Sequence, residues 1–93
     1  MLYNMSQQEY SAPRSVNIDK LCNGVTVLNA GTVYVTWNGI PIAPGASMTV
    51  GGNEGEIFVG RVDIGFFTQT PAPGTIVKSA WVIQKFYEDK NFV

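Results

Sequence analysis

Apolar and polar residues alternate one by one through the middle of this chain, and glycine-bearing pairs break the alternation at short intervals. The clearest stretch is VTVLNAGTVYVTWNGIPIAPGASMTVGGNEGE, residues 25–56. In VTVLN, Val25 and Val27 point to one face and Thr26 and Leu28 to the other, as a period of two requires. Asn29, Ala30 and Gly31 supply a short loop. The run 32–37 then sets Val33, Val35 and Trp37 on one face and Thr32, Tyr34 and Thr36 on the other. Asn38-Gly39 is a strong hairpin signal, because a type I′ turn needs positive φ at both central residues. On the partner strand Ile40 and Ile42 are expected to point inward, and Pro41, with no N–H to give a ladder, puts that strand at an edge. Pro44-Gly45 fits a type II turn. A short strand over 47–50, a turn at Gly51-Gly52-Asn53 and a strand over 62–67 follow, the last with Val62, Ile64 and Phe66 on one face and Asp63, Gly65 and Phe67 on the other.

The final strand is expected over about 76–87, and it is apolar on both sides. Val77, Trp81 and Ile83 alternate there with Ile76, Ala80, Val82 and Phe86. One face meets a core and the other calls for cover. Seven or eight strands with turn signals roughly every 8–12 residues predict an all-β fold, a small antiparallel β-sandwich or partly closed barrel. Residues 1–21 read as an extended N-terminal arm, polar and interrupted by Pro13, ahead of a single β-sandwich domain over 22–93. Leu2, Tyr3, Met5, Tyr10, Val16, Ile18 and Leu21 offer anchors by which the arm docks along its own sandwich or onto a neighbour.

Length limits what such a chain can bury. A domain of 93 residues removes only roughly 60–65% of its unfolded surface from water, so its core is thin. Cys22 is the single cysteine, which leaves no intramolecular disulfide to compensate. That leaves either a marginal monomer or a chain stabilised by its partners. The surface is sparsely charged, with 14% charged residues and a net charge of −1, against roughly 25% charged in an ordinary soluble domain. Arg14, Lys20, Arg61, Lys78, Lys85 and Lys90 are scattered rather than striped, so no phosphate-binding face is expected and nucleic acid is not a partner. Neither a signal peptide nor an apolar run of the roughly 18 residues that cross a bilayer is present. A soluble, reducing compartment and no membrane partner are the expectation.

Candidate chemistry is thin. The chain has no histidine, which removes the commonest general base, metal ligand and partner of a nucleophile. Cys22 is expected as a small buried apolar residue. Glu54 and Glu56, two apart in GGNEGE, have the spacing of paired acids, but a Gly-rich loop on so small a domain offers no cleft to raise one pKa. With Asn53 they also present hard oxygen ligands to Ca²⁺, without the denser Asp pattern of dedicated calcium loops. No Gly-rich phosphate motif opens a helix. The expectation is therefore no enzyme, no catalytic residue, no cofactor and no metal. Trp37, Trp81, Tyr34, Phe67 and Tyr87 can serve as a sugar-stacking platform, or as core and subunit interface.

The run VTVLNAGTVYVTWNGIPIAPGASMTVGGNEGEI resembles a motif of small virion proteins of tailed and related bacteriophages: a strand ending in Asn-x-Gly, a strand closing on Asn-Gly, then Pro-Gly-x-Ser before a Gly/Asn turn. The resemblance covers about a third of the chain. It implies a minor capsid, decoration or vertex-type structural protein in many copies, assembled in the host cytoplasm and located in the virion. Its implied partners are copies of itself and a major capsid or other virion protein. The polar N-terminal arm departs from the simplest decoration modules. Tyr3 and Tyr10 in the arm, and Tyr34, Phe58, Phe67 and Phe86 on strand faces away from the core, are the expected contact residues. A small carbohydrate- or surface-binding module of a phage fibre or spike is the alternative.

Overall fold

A computed structural model describes residues 3–87, and the side chains of all of these except residues 3, 19 and 20. The fold is all-β and antiparallel, with seven strands: β1 (Tyr3–Tyr10), β2 (Arg14–Asn29), β3 (Tyr34–Trp37), β4 (Ile40–Ile42), β5 (Ser47–Gly51), β6 (Phe58–Phe67) and β7 (Ala80–Tyr87). The strand order is β1-β7-β2-β6-β3-β4, with β5 also paired to β2, and the sheet does not close into a barrel. The small β-sandwich expected from the alternation is the architecture observed.

β2 organises it, because its two halves take different partners. Arg14 to Ile18 lie opposite Ile64 to Gly60 of β6. The second half, from Gly24 on, is flanked by β7 on one side and β5 on the other. The register breaks between Ile18 and Cys22, and again at Asn23, which is an extra residue with no counterpart on β7. Such bulges bend a strand and increase its twist, which lets one chain segment belong to both layers. The core then joins the two groups of strands: Ile18, Val62, Ile64, Val35, Trp37 and Ile42 from one pack with Val25, Val27, Ala80 and Val82 from the other.

The turns follow the local chemistry closely. Asn38 and Gly39 adopt φ of 50° and 86°, as a type I′ hairpin needs. Gly45 has φ 80° and the Ala46 amide donates to the Ala43 carbonyl at 2.9 Å, closing the Pro-Gly turn. β4 is a three-residue edge strand carrying Pro41, as expected. Its Ile42 is buried, but Ile40 is 54% exposed rather than inward, since it sits at the hairpin end beyond the core.

Two expectations need correction. Residues 3–21, expected as an arm, lie along their own sandwich as part of the sheet rather than ahead of it. β1 and the first half of β2 are strands of it, β1 pairing with β7 of its own chain over eight register positions from Tyr3↔Tyr87 to Tyr10↔Ala80. The Gln- and Ser-rich composition hid this, because both faces of β1 are wet over residues 4–9 and no alternation is required of it. The last strand begins at Ala80, not at 76. Ile76 and Val77 are exposed in the preceding loop, held by backbone bonds such as Thr32 N to Val77 O at 2.9 Å. That approach is close: a Cβ on Gly31 would lie 2.2 Å from the Val77 carbonyl oxygen, so only glycine fits there.

Candidate interaction surface

The outward faces of the sandwich decide what the protein can touch. On β3 the core takes Val35 and Trp37, so Tyr34 and Thr36 face out, and the register sets Tyr34 opposite Phe67 and Thr36 opposite Gly65. Tyr34 and Phe67 stack with centroids 4.9 Å apart and planes 18° from parallel. Phe67 remains 44% exposed, so this cross-strand aromatic pair is a surface feature. Along the same face Ser15 Oγ donates to Asp63 Oδ1 at 2.6 Å, and Arg61 Nε lies 3.1 Å from the same oxygen. This ion pair is solvent-exposed and contributes at most about 1 kcal/mol.

The other expected contact residues divide. Tyr10 is half-buried and packs against the core, with the Arg14 guanidinium 5.8 Å from its ring centroid. Phe58 and Phe86 were expected on faces away from the core, and both instead pack against it. The reason is parity: Phe58 shares the face of Val62 and Ile64, and Phe86 that of Ala80 and Val82. The side chain of Tyr3 lies outside the described residues. Of the other exposed apolar groups, Leu21 was expected only as an anchor of the arm, and Val59 and Ile57 were not singled out by sequence. Leu21 and Val59 flank the break in β2, with Ile57 just before β6, at 40%, 74% and 52% exposure. Their signal was present, as branched side chains beside a Gly-rich turn, but exposure cannot be read from composition.

The Gly-rich loop is tied to the protein itself. Asn23, wholly buried at its bulge, donates through Nδ2 to the carbonyls of Asn53 at 2.7 Å and Glu56 at 3.0 Å and contacts the Tyr87 hydroxyl at 3.0 Å. The Tyr87 hydroxyl donates to the Glu56 carbonyl at 2.8 Å, and Glu56 Oε1 accepts from the Asn53 amide at 3.0 Å. Of the oxygens considered as calcium ligands, the Asn53 and Glu56 carbonyls and Glu56 Oε1 thus face internal donors, and Glu54 is exposed. Among the described residues no three His, Cys, Asp or Glu side chains gather as a metal site. A second buried amide, Asn29, donates to the carbonyls of Val33 at 2.8 Å and Ile42 at 2.9 Å, and accepts from the Gly31 amide at 3.0 Å. These two asparagines pin the loops at the two ends of the second half of β2.

Cys22 is buried, as its sequence context suggested, and its Sγ contacts the Gly24 carbonyl at 3.2 Å. Desolvation pushes its thiol pKa above the ordinary 9.0, against smaller lowering from backbone contacts at Gly24 and Lys85. A thiol in this state is neither thiolate nor accessible, the opposite of a nucleophile's requirements. A shallow depression runs along the β1–β2 turn, walled by residues 8–14. Trp37 is in the core, and Trp81 is half-buried on the outer face of β7, so the aromatic residues do not assemble into one platform. Comparison with known proteins finds no matching family model, no matching curated protein and no matching solved structure.

Proposed function

We propose that this chain is a non-enzymatic structural protein of a bacteriophage virion, a minor capsid, decoration or vertex-type component that stabilises a particle through contacts with copies of itself and with other virion proteins. The observation that carries the reading is the outward Tyr34–Phe67 stack, in a chain of which only 14% of residues are charged. Aromatic pairs held rigid by cross-strand packing lose little entropy on docking and are favoured at interfaces. The turn signature over 25–57 supplies the virion assignment, as a resemblance.

Sedimentation of the isolated chain over a wide concentration range tests it. The expected result is concentration-dependent association that weakens in a Phe67→Arg variant whose fold loses no more than the roughly 1 kcal/mol of a cross-strand pair. A compact monomer at every concentration would overturn the assembly reading. The alternative, a carbohydrate-binding module, draws on the same exposed stack, and a glycan-array signal lost in Phe67→Ala would favour it instead.

A further inference from the structure

We infer that β1 is a self-pairing edge: two copies of this chain join their sheets by antiparallel addition of β1 to β1 across a two-fold axis that passes through Ser6 or Gln7. The inference rests on the assembly reading above and adds a contact between copies to the Tyr34–Phe67 face. β1 is the last strand of its half of the sandwich, paired with β7 on one side and, among the described residues, with nothing on the other. Asn4, Ser6 and Gln8 on one face and Met5, Gln7 and Glu9 on the other are all exposed, so among the described residues no second layer lies beneath this strand. It is fastened chiefly by its ladder to β7, by Tyr10 against the core, and by Ser79 Oγ donating to Glu9 at 2.5 Å.

Free edges normally carry protection in the form of proline, bulges, inward charges or shortness. β4 has two of these, with three residues and Pro41. β1 has none: its eight residues include no proline, its register with β7 is unbroken, and its one charged residue, Glu9, is already held by Ser79. Such an edge is a template for another strand.

The occupant is a second copy because the strand is complementary to itself. Residues directly opposite across antiparallel strands point to the same face. In a two-fold pair a residue therefore meets a partner of its own parity, and the axis must fall on a residue. The two central choices are Gln7, which sets Met5 opposite Glu9, and Ser6, which sets Tyr3 opposite Glu9 and Met5 opposite Gln7. In both registers the carboxylates stay apart and polar side chains face polar or neutral ones. With a net charge of −1, long-range repulsion between copies is small.

Variants with one added cysteine supply the test, with Cys22 left in place because it is buried. Ser6→Cys and Gln7→Cys are oxidised at concentrations where the protein associates. A disulfide-linked dimer is expected at one of the two positions and not at both. A double variant, Ser6→Lys with Gln7→Lys, places like charges on the axis in either register. Association is expected to weaken by ~10-fold or more, as like charges directly opposite destabilise strand pairs, with the unfolding midpoint unchanged because both side chains are exposed. Association that persists in the double variant with no disulfide at either position would overturn β1 pairing and leave the assembly reading standing. An intermolecular disulfide between Gln7→Cys and Ile83→Cys molecules would also overturn it, since those positions face each other in the β1–β7 ladder and the link would mean that β1 is exchanged between copies. Absence of association at any concentration would overturn both.

Discussion

Replacing Asn29 with alanine removes one carboxamide and strips three backbone groups of a partner. The wild-type side chain is fully buried, donates to the Val33 and Ile42 carbonyls at 2.8 and 2.9 Å, and accepts from the Gly31 amide at 3.0 Å. A buried group left without a partner costs about 1–3 kcal/mol. The amide stands at the upper end, having no second way to bond, and each of the two carbonyls at the lower, so the loss comes to about 5 kcal/mol. For a domain of 60–100 residues, each kcal/mol moves the thermal midpoint by about 4–8 °C, so a fall of about 20–40 °C is expected. Urea titration followed by the fluorescence of Trp37, 3% exposed in the native state, reads the change directly. Asn29→Asp keeps size and the acceptor for Gly31 but turns a carboxylate toward two carbonyls, so it should destabilise at least as much. Asn17→Ala, on the wet face of β2, should leave the midpoint unchanged. A loss below about 1 kcal/mol for Asn29→Ala would refute the account of this residue as the pin that closes the loops, since one unpartnered amide alone exceeds it.

The other expectations concern the same loops and the thiol. Gly31→Ala drives a methyl group into the Val77 carbonyl, 2.2 Å from the added carbon, and should destabilise by several fold more than Gly74→Ala, which meets nothing within 4 Å; chemical unfolding of the two variants compares them. Tyr87→Phe removes the hydroxyl between Asn23 and the Glu56 carbonyl, and about 1–2 kcal/mol of stability, with faster amide exchange at Gly52 and Glu56 as its local signature. Cys22 should resist thiol reagents until the chain unfolds, so labelling that tracks local opening at native conditions would contradict its burial. Its folded pKa is raised, so the folded state holds the proton longer than the unfolded state. Its contribution is complete below the unfolded pKa and is lost as pH climbs from about 9 through the folded value; Cys22→Ala, titrated beside wild type, should show a shallower alkaline decline.

Much of the fold was legible because its signals are local. Asn38-Gly39 and Pro44-Gly45 dictate their turns through φ preferences that no tertiary contact has to supply, and the alternation in 32–37 assigns Val35 and Trp37 to the core and Tyr34 to the surface. Phe67 was legible for the same reason. β1 was not, because a strand wet on both faces has no hydrophobic period to announce it and exists only by virtue of the β7 ladder. Nor could Phe58 and Phe86 be placed correctly without first deciding which parity of β6 and β7 faces inward. That choice depends on the opposing layer.

By itself, then, the amino-acid order determined the all-β class, the positions of the hairpin turns, the outward direction of Tyr34 and of Phe67, and the want of a histidine-based site, since all of these depend on residue type and near neighbours. Only the tertiary structure decided that β2 serves two groups of strands, that Asn23 and Asn29 are buried pins, and that β1 ends the sheet with a bare edge. Those features join residues up to 84 positions apart, as Asn23 to Tyr87 and, in the β1–β7 ladder, Tyr3 to Tyr87, and such long-range pairing is set by the register of whole strands.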